Sequence, residues 1–105
     1  MFGDLMARME GAKVEVAEKL KSLVITKVDQ NGWIKVELGG DRQLRDISIS
    51  DELIQKGETE LIEDLLTNVL NEALAEAALK EKEIMEEIAG KMVPGGLGGL
   101  KGLFG

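Results

Sequence analysis

The chain has 105 residues and a formal net charge of −7, and it contains neither cysteine nor histidine. Disulfides, thiol catalysis, Cys/His zinc sites and serine–histidine nucleophiles are therefore excluded. No apolar run approaches the roughly 18 residues that a spanning helix needs, and charged residues interrupt the opening too early for a signal peptide. We expect one small cytoplasmic domain that self-associates.

The charge is distributed unevenly along the chain. Residues 1–45 carry eight basic and seven acidic side chains, whereas residues 46–105 carry five basic and thirteen acidic ones. An acidic protein as a whole is repelled by nucleic acid. Any surface that binds anions is therefore expected to come from the first half of the chain.

The first predicted element is an amphipathic helix that begins in MFGDLMARM. Seven apolar residues fall within about a third of its circumference at a period of 3.6 residues: Phe2, Leu5, Met6, Met9, Ala12, Val16 and Leu20. Basic residues border this stripe, with Lys13 at one margin and Arg8 and Lys19 beyond the other. We expect the stripe to pack on the protein's own core or on a partner subunit.

From Leu23 the period changes to two, which indicates strands. LVITKV and WIKVEL flank Asn31-Gly32, the dipeptide favoured in a type I′ hairpin turn. Gly39-Gly40-Asp41 predicts a second turn, and LRDISIS predicts a third strand. The result is a three-stranded antiparallel meander with one apolar face.

Two helices and a tail are predicted after the strands. Ser50 is a candidate N-cap for a short helix that ends by Gly57. A long helix follows from about Thr59 to Ala89, and its apolar stripe is wider than three strands would cover, so part of it is expected to meet a second subunit. Residues 1–89 are thus predicted to form one domain, and the glycine-rich residues 90–105 a flexible tail.

No set of residues predicts catalysis, a cofactor or a metal site. The acidic pairs Glu63-Asp64 and Glu86-Glu87 are helix neighbours, whose side chains point roughly 100° apart. No loop gathers the several oxygen ligands that Mg²⁺ or Ca²⁺ requires. Trp33 would cover the sheet or pack against a helix rather than stack on a base, and three aromatics are too few for a single-strand platform. The chain is predicted to be a binding or structural protein and not an enzyme.

Three strings in this order resemble the YbaB/EbfC family of bacterial nucleoid-associated proteins. They are the opening MFGDLMARM, the glycine–strand–glycine–strand pattern from Gly32 to Leu53, and LIEDLL followed by NEAL in the long helix. Together they cover roughly residues 1–80. The chain departs from the family pattern at Trp33, at Thr67-Asn68 and in a first helix that carries three glutamates.

The resemblance implies an α+β fold with an α-β-β-β-α subunit and a tweezer-shaped homodimer. It further implies a nucleoid-linked, non-enzymatic protein that binds double-stranded DNA with low sequence specificity through projecting arms. With the basic excess of the first half, it predicts these DNA-binding residues: Arg8, Lys13, Lys19, Lys21, Lys35, Arg42 and Arg45. The predicted dimer interface consists of Leu61, Leu65, Leu66, Val69 and Leu70.

An alternative function follows from the acidic second half of the chain. The protein would then be a dimeric adaptor that binds another protein, of unknown identity, through its N-terminal arm helix and its C-terminal tail. No membrane partner is expected under either hypothesis.

Overall fold

The computed structural model describes residues 2–92. The elements follow in the order α1 (Phe2–Ser22), β1 (Val24–Val28), β2 (Ile34–Gly39), β3 (Leu44–Ile49), α2 (Asp51–Gln55) and α3 (Thr59–Met92). The strands form one antiparallel sheet in the order β1-β2-β3. The predicted α-β-β-β-α architecture is confirmed.

The core lies between the sheet and the first half of α3. The register pairs Ile25 with Leu38 and Val36 with Ile47, so these side chains share a face. Val69, Ala73 and Ala77 repeat every fourth residue of α3 and are buried against that face. Because two of these three residues are alanines, the helix backbone approaches the sheet closely.

α3 is longer than its contact with the sheet. Its 34 residues span about 51 Å at the usual helical rise, and Gly90 does not end it, contrary to the predicted boundary at Ala89. The second half of α3 continues past the sheet and packs beside α1. We call α1 together with residues 78–92 the arm. The predicted tail lies, from residue 93, outside the described residues.

The hairpin between β1 and β2 is closed by Asp29 rather than by a type I′ turn. Such a turn needs positive φ at both central residues, but only Gly32, at 72°, and not Asn31, has it. The Asp29 carboxylate accepts hydrogen bonds from the backbone N–H groups of Asn31, at 3.0 Å, and Ile34, at 2.7 Å. Partial burial raises the pKa of Asp29, but these backbone hydrogen bonds outweigh it, and the net pKa lies below the ordinary value.

The turn between β2 and β3 uses its glycines for close packing. A Cβ on Gly40 would lie 2.6 Å from the carbonyl oxygen of Leu20 at the end of α1. The left-handed backbone conformation falls instead on Arg42, whose φ is 65°. The predicted turn is confirmed in position, while its conformationally special residue is Arg42 rather than a glycine.

The predicted cap of the short helix is confirmed. The Ser50 hydroxyl accepts a hydrogen bond from the backbone N–H of Leu53 at 3.2 Å, and Gly57 has a φ of 68° just after the helix. Leu53 is fully buried. The cap therefore orients the turn that carries one of the core side chains.

Candidate nucleic-acid and subunit interfaces

The arm consists of two antiparallel helices tied by charged side chains. Lys19 of α1 lies 3.2 Å from Glu87 of α3, and Lys91 of α3 lies 3.6 Å from Glu15 of α1. From the first pair to the second, the position on α1 falls by four residues, from 19 to 15, while the position on α3 rises by four, from 87 to 91. This is the pattern of an antiparallel helix pair. Leu20 and Ile88 supply the buried apolar contacts along this seam.

The predicted apolar stripe of α1 is only partly covered. Leu20, at the end next to the sheet, is 8% exposed, whereas Met6 is 62% and Phe2 83% exposed. The outer half of the stripe, from Phe2 to Met9, has no cover among residues 2–92. The sequence pattern thus predicted the stripe correctly, and its outer half is exposed in the described subunit.

Four of the seven predicted DNA-binding residues have acidic neighbours in the same chain. The N–O distances are 3.6 Å for Lys13 with Glu10, 3.2 Å for Lys19 with Glu87, 3.9 Å for Lys35 with Glu37 and 3.3 Å for Arg42 with Glu81. Such exposed pairs contribute only about 0–1 kcal/mol. A phosphate can therefore compete for these basic groups, at a small cost.

The other three predicted residues have no carboxylate within 4.0 Å among residues 2–92: Arg8, Lys21 and Arg45. Arg8 lies near the outer end of the arm, beside Lys91. Arg45 and Lys21 meet at the arm's inner end, where the Arg45 guanidinium donates a hydrogen bond to the backbone carbonyl of Lys21. The seven residues therefore do not form one patch: most lie along the arm, and Lys35 lies apart on the sheet.

The structure adds a basic residue that the sequence reasoning missed. Lys91 is part of the arm because α3 continues through Gly90, and it contacts both Glu15 and Glu87. A longer predicted helix would have included it. The arm, residues 2–22 and 78–92, carries seven basic and eight acidic side chains, whereas residues 59–77 of α3 carry five acidic and no basic ones.

A second apolar surface lies on β3. α3 packs on β1 and β2 and has hardly any contact with β3. Leu44 and Ile47 are consequently 49% and 36% exposed, although Leu38 and Val36, their partners on β2, are buried. This β3 surface, Leu44 with Ile47, continues the core face of the sheet beyond the edge of the helix.

The predicted dimer residues divide into two groups. Four of them are half-buried around the core: Leu61, Leu65, Leu66 and Leu70. Val69 is different, because it is 2% exposed and belongs to the subunit's own core. Its side chain has almost no surface left for a partner in this subunit, and its place in the dimer interface stays a prediction.

Within residues 2–92 no three acidic side chains are clustered so as to hold a metal ion. None of the helices in this range combines the length and the apolar character needed to cross a membrane. The features that stand out are therefore the basic groups of the arm and two uncovered apolar surfaces.

Residues 2–92 match the family model of the YbaB/EbfC DNA-binding family. The chain belongs to that family. It is 30% identical over 97 residues to a nucleoid-associated protein of Chloroflexus aurantiacus, covering 92% of this chain and 89% of the relative. It is 33% identical over 90 residues to a nucleoid-associated protein of Rhodospirillum rubrum, covering 84% of each.

A solved structure shares the YbaB/EbfC-type fold of this chain. The crystal structure of an uncharacterized protein from Helicobacter pylori matches with a TM-score of 0.72 and 24% sequence identity, covering 79% of this chain and 87% of the other. The family match over residues 2–92 confirms the resemblance seen in the sequence strings, and the solved structure confirms the fold. The family match also extends to residue 92, which includes the whole of α3.

Proposed function

We propose that this protein is a non-enzymatic, nucleoid-associated protein of the bacterial cytoplasm that binds double-stranded DNA as a homodimer with low sequence specificity. The observation that carries the proposal is the YbaB/EbfC family match over residues 2–92. The basic groups exposed on the projecting arm support it, because lysine and arginine side chains are the usual partners of DNA phosphates.

A second copy of the chain is the natural cover for the β3 surface. Leu44 and Ile47 extend the core face of the sheet without a helix above them. Leu66 and Leu70 line the margin of the core on α3 and are half-buried. A partner subunit that buried these side chains would complete the core, and association would remove apolar surface from water.

The phosphate contacts are proposed to come from five of the predicted basic residues, with unequal weight: Arg8, Lys13, Lys19, Lys21 and Lys35. Arg8 and Lys21 lack acidic neighbours within 4.0 Å in the described range, so they should contribute most. Contacts of this kind carry no sequence information. The one aromatic of the sheet region, Trp33, is half-buried and lies under the Lys56 ammonium at 5.2 Å, so it is not free to stack on a base.

Fluorescence anisotropy tests the proposal with two unrelated labelled duplexes, each titrated at salt concentrations from about 20 to 300 mM. The slope of log affinity against log salt is roughly 0.9 for each phosphate that the protein neutralises. We expect similar affinities for both duplexes and a slope of several units. Analytical ultracentrifugation should show a dimer. Strong preference for one duplex would contradict low specificity, and a monomer at all concentrations would contradict the homodimer.

Charge-removing variants test the contacts. Arg8→Gln combined with Lys21→Gln should weaken binding to both duplexes equally. It should also lower the slope of log affinity against log salt by about 1.8, the value for two phosphate contacts. Lys56→Gln is the matched control, because it removes the same kind of charge beside Trp33 rather than on the arm. Equal losses from the control would indicate a general charge effect rather than contacts through the arm.

The adaptor function is the second candidate, and the uncovered apolar stripe from Phe2 to Met9 favours it. Methionine-rich helix faces suit protein partners because their side chains adapt to different shapes. The proposed contribution of the tail concerns residues outside the described range. An intact dimer that binds neither duplex at the lowest salt would favour the adaptor and exclude DNA binding.

A further inference from the structure

The turn between β2 and β3, taken here with the first residues of β3 as residues 39–45, contacts both helices of the arm at its inner end. The Arg45 guanidinium donates to the backbone carbonyl of Lys21, in the last turn of α1. The Arg42 guanidinium lies 3.3 Å from the Glu81 carboxylate of α3. The Gly40 N–H donates to the Leu23 carbonyl at 3.2 Å, just after α1. One short loop therefore joins the sheet to each half of the arm.

Apart from this turn, α1 packs mainly along the second half of α3 within residues 2–92. Of the described α1 residues, Leu20 is the one that is buried, and the apolar side chains become more exposed toward Phe2. The cross-links to α3 through Lys19 and Lys91 join exposed side chains, which hold position weakly. The buried contact of α1 therefore lies at its inner end, where the β2–β3 turn meets it and adds hydrogen bonds.

The turn itself is built for close and specific contact. Gly39 and Gly40 are buried, and a Cβ on Gly40 would collide with the Leu20 carbonyl oxygen. Arg42 has a left-handed backbone at a φ of 65°, a conformation that glycine or asparagine adopts more readily. An arginine at such a position is explained by the reach of its side chain to Glu81.

We propose that this turn is a brace that sets the direction of the arm, and that Arg42 and Arg45 are positioning residues in it rather than phosphate ligands. The inference rests on the proposed function only for the use of the arm in DNA binding. The bracing itself is a property of the protein without DNA.

Arm direction matters because α1 is a lever. A rotation of about 10° at the inner end moves the tip of a helix roughly 30 Å long by about 5 Å. Successive phosphates of one DNA strand are about 3.4 Å apart along the duplex axis. Arg8 lies about 20 Å along α1 from the inner end, so loss of the brace would displace it by about 3.5 Å, or roughly one phosphate spacing.

Spin-label distance measurements on the full chain without DNA test the brace. The chain has no cysteine, so labels at Ala7→Cys, on exposed α1, and Gln30→Cys, at the exposed hairpin, report only this distance. The doubly labelled chain is mixed with excess unlabelled chain to suppress distances between subunits. Arg45→Gln and Arg42→Asn, whose asparagine tolerates the left-handed backbone, should each shift or broaden the distribution by several Å, on the order of the lever displacement above.

Lys21→Gln is the matched control, because it removes a neighbouring positive charge but keeps the backbone carbonyl that Arg45 contacts. It should leave the distance distribution unchanged. Arg42→Glu combined with Glu81→Arg should restore the wild-type distribution that either single change disturbs. A merely structural role for Arg42 would not predict this rescue.

An unchanged distribution in both Arg45→Gln and Arg42→Asn would overturn the brace, most clearly if DNA affinity fell as much as in Lys21→Gln. Circular dichroism checks the fold, and if Arg45→Gln does not fold, Arg42→Asn and the charge-swapped pair decide the result. Failure of the wild-type protein to bind DNA would overturn the proposed function, yet it would leave the distance measurements and the brace intact.

Discussion

The sheet half of the molecule, residues 23–77, and the arm have similar proportions of apolar residues but differ sharply in burial. The eight-residue core cluster lies entirely between the sheet, α2 and the first half of α3. The arm buries just Leu20 and Ile88 among its described residues. The comparison shows that stability is concentrated at the sheet, whereas the arm is held by a few contacts and several exposed ion pairs. The arm can therefore change its surface with little consequence for folding.

The largest expected effect is on the free energy of unfolding, when one apolar side chain in each half is shortened to alanine. Leu38→Ala removes a side chain that is fully buried in the sheet half, and should lower the free energy of unfolding by about 2–5 kcal/mol. Met6→Ala, on the arm, should change it by less than about 0.5 kcal/mol. Urea denaturation measures both values, and equal losses would show that the arm is part of the cooperative core.

The next largest effect is on dimer formation through the β3 surface. Ile47→Glu places a charge on the surface proposed to meet the second subunit, where an unpaired buried carboxylate costs on the order of 2 kcal/mol or more. The dimer dissociation constant should rise at least about tenfold, since about 1.4 kcal/mol corresponds to a factor of ten.

Sedimentation velocity checks this effect. Ser48→Glu is the control, because it adds the same charge to the opposite face of the same strand, and it should leave the dimer intact. Dissociation by both variants, or by neither, would place the interface elsewhere.

A smaller effect compares one hydroxyl from each half. Ser50→Ala removes the cap of α2, whose Leu53 is in the core, and should cost about 1 kcal/mol. Ser22→Ala removes an exposed hydroxyl that donates to the Lys19 carbonyl at the inner end of α1, and should cost less than about 0.5 kcal/mol. Thermal unfolding monitored by circular dichroism should rank the two in this order, and the reverse order would contradict the comparison.

The smallest effect is a dependence of stability on pH. The pKa of Asp29 is lower in the folded protein than its ordinary value of 3.8, owing to backbone hydrogen bonds. Its carboxylate therefore contributes stability above that value, and the contribution is lost as the pH falls below 3.8 through the folded pKa.

Urea unfolding at a series of acidic pH values tests this dependence. Asp29→Asn should be less stable than the wild type near neutral pH, and the difference should shrink as the pH falls. Asp64→Asn, on the exposed face of α3, is the control and should show no such convergence. A difference that stayed constant down to the lowest pH would contradict the assignment.

Much of the fold followed from periodicity in the sequence. The changes of period near Leu23 and Thr59 located the helices and strands within a few residues, because burial on one face imposes a period of 3.6 or 2. The cap at Ser50 was also predicted, since it depends on residues three positions apart. These are local signals that tertiary structure leaves unchanged.

Other features depend on how distant segments meet. The contact of Lys19 with Glu87 joins residues 68 positions apart and follows from the packing of α1 on α3. The left-handed backbone conformation falls on Arg42, although Gly39 and Gly40, two or three residues earlier, are of the residue type that usually adopts it. Val69 could not be distinguished from its leucine neighbours, because the stripe alone does not show where the sheet ends. The sequence therefore predicted which basic residues belong to the candidate site. The structure was required to show which of them have acidic neighbours.

α3 is a single uninterrupted helix, yet its two halves should differ in local stability. Amide hydrogens of residues 61–77 lie in the sheet half and should exchange with solvent only on global unfolding, whereas those near Gly90 should exchange through local fraying. A ligand that binds the arm must then order the outer turns of α3, and the entropic cost of this ordering depends on how far those turns fray. The affinity of the arm for its ligand would consequently depend on helix propensity at positions that touch no ligand, so that Gly90→Ala should strengthen binding.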